Sequence, residues 1–228
     1  MDYYVIQPNS ELRSYARQQL KGVWMQMALA YFIMFLFVLP YSITSTLSSL
    51  HDLFPLLFPD VNSLDTVFFI YYMIISGPFQ LGFAGYFLKR IRGEEITIKN
   101  IFDGFKSFLN SFLLLLIMLL FVFLWALLLI VPGIVKSFGY SMAFFIMYDD
   151  PQIKPLEALK KSQIMMKGNK MNLFTLCLSF IGWFLLGALT FGIAYFWINP
   201  YCELSIANFY ENLKKMSEKS TVEEVQIL

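Results

Sequence analysis

Polar and apolar residues separate along this chain into long blocks. The longest apolar block, Phe112 to Val131 ("FLLLLIMLLFVFLWALLLIV"), holds 20 residues. As a helix rising about 1.5 Å per residue it is about 30 Å long, the thickness of a bilayer hydrocarbon core. Read with their Pro, Gly and polar breakers, the blocks give six spans, at 22–45, 65–90, 110–131, 133–148, 171–189 and 191–212, with a polar tail over 214–228. Ahead of each odd-numbered span stands a shorter stretch with helical spacing: "NSELRSYARQQLKG", "IKNIFDGFKSFLNS" and "KPLEALKKSQIMMKGNK". In the first, Ser10 is the expected N-cap, and Leu12, Tyr15, Ala16 and Leu20 face away from Arg13, Arg17 and Lys21. In the third, Leu156, Leu159, Ile164 and Met166 make a less regular stripe, and Gly168-Asn169 marks a stop. The pattern predicts an all-α, polytopic membrane helical bundle. Its six transmembrane helices form three hairpins, each preceded by a short cytoplasmic interfacial helix in the headgroup region.

Composition sharpens this picture. With 58% hydrophobic and 14% charged residues the chain is far from a soluble composition. The net charge of +1 becomes informative only when mapped. Of the 17 Lys and Arg residues, all but Lys136 fall before span one, between two and three, between four and five, or after six. The segment 46–64, with His51, Asp52 and Asp60, has none. Basic residues are retained on the cytoplasmic side, so a multi-pass protein of the cell (cytoplasmic) membrane with both termini in the cytoplasm is expected. The opening residues lack the form of a cleaved secretory signal, which leaves span one as a signal anchor. Cys177 and Cys202 lie inside predicted spans without a C-x-x-C partner and read as packing residues.

The chemistry-bearing residues are few. Lys136 follows the Pro132-Gly133 pair, where the chain is expected to turn, so it can snorkel to the outer headgroups or pair with a buried acid. The acid is Glu203, about 18 Å along span six from its outer end and so near mid-membrane. An unpaired carboxylate there is costly, which makes it a functional candidate, with a satisfied structural network as the alternative. Tyr140, Asn199, Tyr201 and Asn208 complete the candidate intramembrane polar site, and Pro200 is expected to kink the helix. Gly77-Pro78 marks a second kinked span, and Gly139-x-x-x-Ala143 and Ala188-x-x-x-Gly192 are small-residue pairs suited to close helix packing. Lys154, Lys160, Lys161, Lys167 and Lys170 are candidate contacts to anionic lipid headgroups. No metalloprotease, nucleophile-elbow, P-loop or dinucleotide motif is present, so no catalytic residue, metal or cofactor is expected. Asp149-Asp150 reads as a span terminator. The basic residues are interleaved with acids along one membrane face, which argues against a nucleic-acid partner.

From Trp125 to Leu213 the sequence resembles a known family. The residues that carry the likeness are Pro132-Gly133-Ile134, Ser162 with Met166-Lys167-Gly168, Ser179-Phe180-Ile181-Gly182-Trp183, and Pro200-Tyr201 followed by Phe209-Tyr210. The opening "LRSYARQQLKG" fits the same family, which consists of bacterial integral membrane proteins common in Gram-positive bacteria and catalogued as a domain of unknown function. The layout is also similar to the membrane domain fused to some glycerophosphoryl diester phosphodiesterases, without their catalytic domain. The likeness implies topology and leaves activity open. The expected function is a non-enzymatic membrane protein that binds lipid, a membrane protein partner or a second copy of itself, in envelope maintenance, protection or as an accessory subunit. The alternative is a small transporter or channel using Glu203 and the kinked spans two and six.

Overall fold

The structure, a computed structural model, describes residues 7–227, with side-chain surroundings over 7–218. The opening residues 1–6 and the side chain of Lys219 lie outside the described residues. Every described element is a helix. They are α1 (Asn9–Leu20), α2 (Trp24–Leu53), α3 (Asn62–Ile91), a 3-10 helix (Ile98–Ser107), α4 (Phe108–Leu128), α5 (Ile130–Tyr140), α6 (Ala143–Asp149), α7 (Pro155–Met165), α8 (Lys170–Leu178), α9 (Ile181–Leu189) and α10 (Tyr195–Ile227). Among the described residues, five helical stretches are long and apolar enough to cross a membrane: Trp24–Leu53, Asn62–Ile91, Ile98–Leu128, Ile130–Asp149 and Lys170–Leu189.

Helix ends differ from the sequence pattern where side chains find partners. The helix of span one runs on to Leu53 and takes His51 into its last turn, where Nδ1 lies 2.9 Å from the Phe58 carbonyl. Its end is tied to the start of α3 by Thr44 donating to Asp65 and Ser48 to Asn62. The α4–α5 reversal falls on Leu129, in extended backbone, three residues before Pro132-Gly133. Pro tolerates the first turn of a helix, where its missing N–H costs nothing. Gly133 there packs on Ala126. Span four is broken at Ser141-Met142 and span five at Ser179-Phe180. Gly192 (φ +89°) lies in the α9–α10 turn, so the Ala188-x-x-x-Gly192 pair is a turn feature. Ser10 is no cap: α1 starts one residue earlier after Pro8, whose carbonyl accepts from the N–H groups of Glu11 and Leu12. The tail predicted from 214 is a continuation of α10, whose Leu213 is buried and whose Lys214 is ion-paired.

The core gathers at one end of the bundle. Along α3, no residue from Asn62 to Ile75 is buried, whereas every residue from Ser76 to Leu88 except Gln80 is. The 3-10 helix lies so close to this second half that a Cβ on Gly82 would overlap the Ile101 carbonyl, and one on Gly104 the Pro78 carbonyl. Glycine is the residue that permits such backbone approach. α1 contributes the predicted Leu12, Ala16 and Leu20, all fully buried, while Tyr15 faces outward. α7 buries Ala158, Leu159, Ser162 and Met166 and leaves Leu156 and Ile164 exposed. Ser162 donates to the Gly139 carbonyl (2.8 Å) and accepts from the Met142 N–H (3.2 Å), satisfying both open ends where α5 gives way to α6. The three short helices thus pack into the core with at least one face each. The opposite end carries the exposed apolar surface: Leu127 to Val131, Leu185, Leu186, Leu189 and Phe191.

Candidate functional site

α10 leaves the α9 turn at Tyr195 and carries Pro200 in its second turn, which removes one backbone donor inside the helix. Among its described side chains, the last strongly exposed large apolar one is Trp197. Beyond it, Tyr201, Cys202, Leu204, Ser205 and Ala207 to Tyr210 are buried against protein. Glu203 therefore sits at the edge of the compact half of the bundle, about 12 Å along the helix from Glu211.

The Glu203 side chain is partly accessible because it lines a cavity of about 410 Å3. Around the same cavity stand Gln80 of α3, Tyr31 of α2, Ser137 of α5, Ser141 in the α5–α6 break and Cys177 of α8. Glu203, Gln80 and Tyr31 make no hydrogen bond or ion pair with any described residue. Ser137 and Ser141 each donate to their own helix, to the carbonyls of Ile134 and Phe138, and keep oxygen lone pairs free. No Lys or Arg lines the space. Gln80 and Glu203 come two and three residues after Pro78 and Pro200, so two of its polar groups stand just past a proline in their helices.

The other sequence candidates are dispersed. The Lys136 ammonium stands 4.6 Å from the centre of the Trp125 ring, so a cation–π contact holds it away from Glu203. Tyr140 is buried and bonds the Gln163 side chain. Tyr201 accepts from Arg13 Nε (3.2 Å), and Arg13 also donates to the Ser179 carbonyl and covers the Phe180 ring. Asn208 exchanges amide hydrogen bonds with Gln19 of α1. Asn199 lines a separate groove of about 550 Å3 with Phe191 and Tyr195, which shares Tyr31 and Met34 with the Glu203 cavity. Lys154, Lys160, Lys161 and Lys167 are exposed, and Lys170 lies half-buried beside Gly139.

A second polar cluster escaped the sequence reading. Asp149 accepts from Arg92 and from Lys214 (2.6 Å) and from the Tyr210 hydroxyl (3.0 Å), and Arg92 also pairs with Glu211 (2.6 Å). It joins the C-terminal ends of α3 and α6 to the middle of α10. The Asp149 hydrogen bond, reinforced by Glu211, holds the Arg92 guanidinium above its ordinary pKa against the opposing effect of burial. Nearby, Asp103 accepts from Lys89, Lys106 and Asn100. The signal available was Asp149-Asp150 at a span end opposite three basic segments, but their convergence is tertiary. Among the described residues no group of three or more His, Cys, Asp or Glu is placed to hold a metal ion.

Residues 1–136 and 127–217 match the model of the family described as "Protein of unknown function (DUF975)", and the chain belongs to that family. No curated protein and no solved structure matches it.

Proposed function

We propose that this protein is a six-span membrane protein that binds an amphiphilic membrane ligand, a lipid or lipid-like molecule, and performs no chemistry on it. The observation that carries the reading is the Glu203 cavity. Its volume is in the range of ligand sites, its lining is mostly apolar, and its carboxylate and the Gln80 amide make no hydrogen bond or ion pair with any described residue. An unpaired carboxylate inside a packed bundle is kept against a folding cost, and ligand binding gives it a partner. What supports a sixth crossing is α10, which returns from the α9 turn to the charged end, where Glu211 and Lys214 meet Arg92 and Asp149. The six crossings form three hairpins: α2 with α3, α4 with α5 and α6, and α8 and α9 with α10. The basic ends of α1, α3, α7 and α10 face the cytoplasm of a bacterial cell, and both termini lie there. α1, the 3-10 helix and α7 sit at the inner interface, where the exposed lysines of the α7 segment meet anionic headgroups.

The test is native mass spectrometry of the protein released gently from its own membrane. A stoichiometric lipid or amphiphile adduct is expected, and its loss with Leu in place of Glu203, Gln80 and Ser141 together would locate it. A bare polypeptide under conditions that retain lipid on other membrane proteins would overturn the reading. The placement of Gln80 and Glu203 just past Pro78 and Pro200 favours transport as a second reading. Ligand flux into proteoliposomes, abolished by Glu203→Gln, would establish it.

A further inference from the structure

We infer that the Glu203 cavity selects an organic monocation, with the carboxylate as its counter-ion and aromatic rings as its walls. The inference rests on the amphiphile-binding reading and names the chemistry of the ligand. Five aromatic side chains line the cavity: Tyr31, Phe83, Phe138, Phe144 and Phe145. Ring faces attract cations, most strongly away from water, and an aromatic enclosure with one acid recognises ammonium-type ligands. The unengaged polar capacity is weighted toward acceptors: two carboxylate oxygens, the Gln80 carbonyl oxygen and the lone pairs of Ser137 and Ser141. Lys136 is committed to Trp125 and Arg13 to Tyr201 and Ser179, and Lys170, beside Gly139, does not line the cavity. A neutral or anionic ligand would leave the carboxylate unpaired, and an anion would be repelled by it. The cation is either free and lipophilic or the amino headgroup of a lipid.

The chain carries its own reporter. Cys177 lines the cavity, whereas Cys202 is buried. The experiment uses full-length protein carrying Cys202→Ala in phosphatidylglycerol nanodiscs, with empty discs as the baseline. Tetraphenylphosphonium is the cationic probe and triphenylphosphine oxide the neutral one. Saturable binding of the cation and slowed N-ethylmaleimide modification of Cys177 are expected, with Glu203→Gln weakening binding about tenfold or more, as loss of a desolvated charge partner does. The neutral probe should neither bind comparably nor distinguish the two proteins. Equal protection of Cys177 by both probes, unchanged by Glu203→Gln, overturns the cation inference and leaves amphiphile binding standing. Absence of protection by either probe overturns the cation inference, and the native mass spectrum then decides the amphiphile reading separately. If Glu203→Gln fails to fold, the contrast between the two probes on Glu203-containing protein decides alone. Adding phosphatidylethanolamine to the discs tells the sources apart: competition with the probe assigns the site to the lipid amino group, and lack of competition to a free cation.

Discussion

The two halves of α3 have similar apolar character and opposite surroundings. From Asn62 to Ile75 the helix presents Leu64, Val67, Phe69, Ile70 and Ile74 outward, and none of its residues is buried. From Ser76 to Leu88 it is enclosed by the 3-10 helix, α4, α6 and α10. Lipid is as apolar as Leu, so nothing drives the first half to pack, whereas small residues and backbone contacts let helices close around the second. The bundle is thus rigid where glycines, buried hydroxyls and ion pairs concentrate, and loosely framed where bulky apolar side chains face lipid. The Glu203 cavity lies at the junction.

Substitutions can break this comparison in decreasing order of effect. Gly82→Ala would push a methyl group into the Ile101 carbonyl and is expected to cost about 3 kcal/mol, against no more than about 0.5 kcal/mol for Gly182→Ala, whose added carbon meets nothing. Apparent melting temperatures in detergent would show the gap, and equal values would refute the contrast between the closely packed second half of α3 and the open face of α9. Asp149→Asn withdraws the carboxylate shared by Arg92, Lys214 and Tyr210 and is expected to cost about 2 kcal/mol in the same assay. A variant as stable as the parent would mean that the cluster is only a surface association. Ser162→Ala leaves the Gly139 carbonyl and the Met142 N–H without their partner, a loss of about 1.5 kcal/mol, with faster hydrogen exchange at Met142 as its local sign. Unchanged exchange there would show that the α5–α6 break is held by other contacts. Tyr86→Phe is expected to act in the opposite direction, by about 1 kcal/mol, because its buried hydroxyl has no hydrogen-bond partner among the described residues. A drop in stability would reveal a partner for that hydroxyl.

Part of this organisation was legible in the residues. The apolar blocks located α2, α3, α4 and the paired helices α5–α6 and α8–α9, because transfer into lipid is a property of each segment by itself. The stripe of Leu12, Ala16 and Leu20 identified the inward face of α1 because helical periodicity is local too. The stripe in α7 misled at Leu156 and Ile164, since beside a membrane an apolar side chain can face lipid as readily as protein. Glu203 was recognisable as an unusual acid, but its cavity was not, because its walls come from α2, α3, α5, α6, α8 and α10.

The sequence by itself determined which segments are helical and apolar, and that sixteen of the seventeen Lys and Arg residues occupy segments that alternate with its outward links. Those properties follow from hydrophobic transfer and periodicity, which depend on near neighbours along the chain. The tertiary structure alone decided that Lys136 turns to Trp125, that Asp149 anchors three helices, and that Glu203 opens onto a cavity without a cation of the protein's own. Each of those outcomes depends on which side chain, far away in sequence, arrives within about 4–6 Å, the range over which charges and rings act inside a protein.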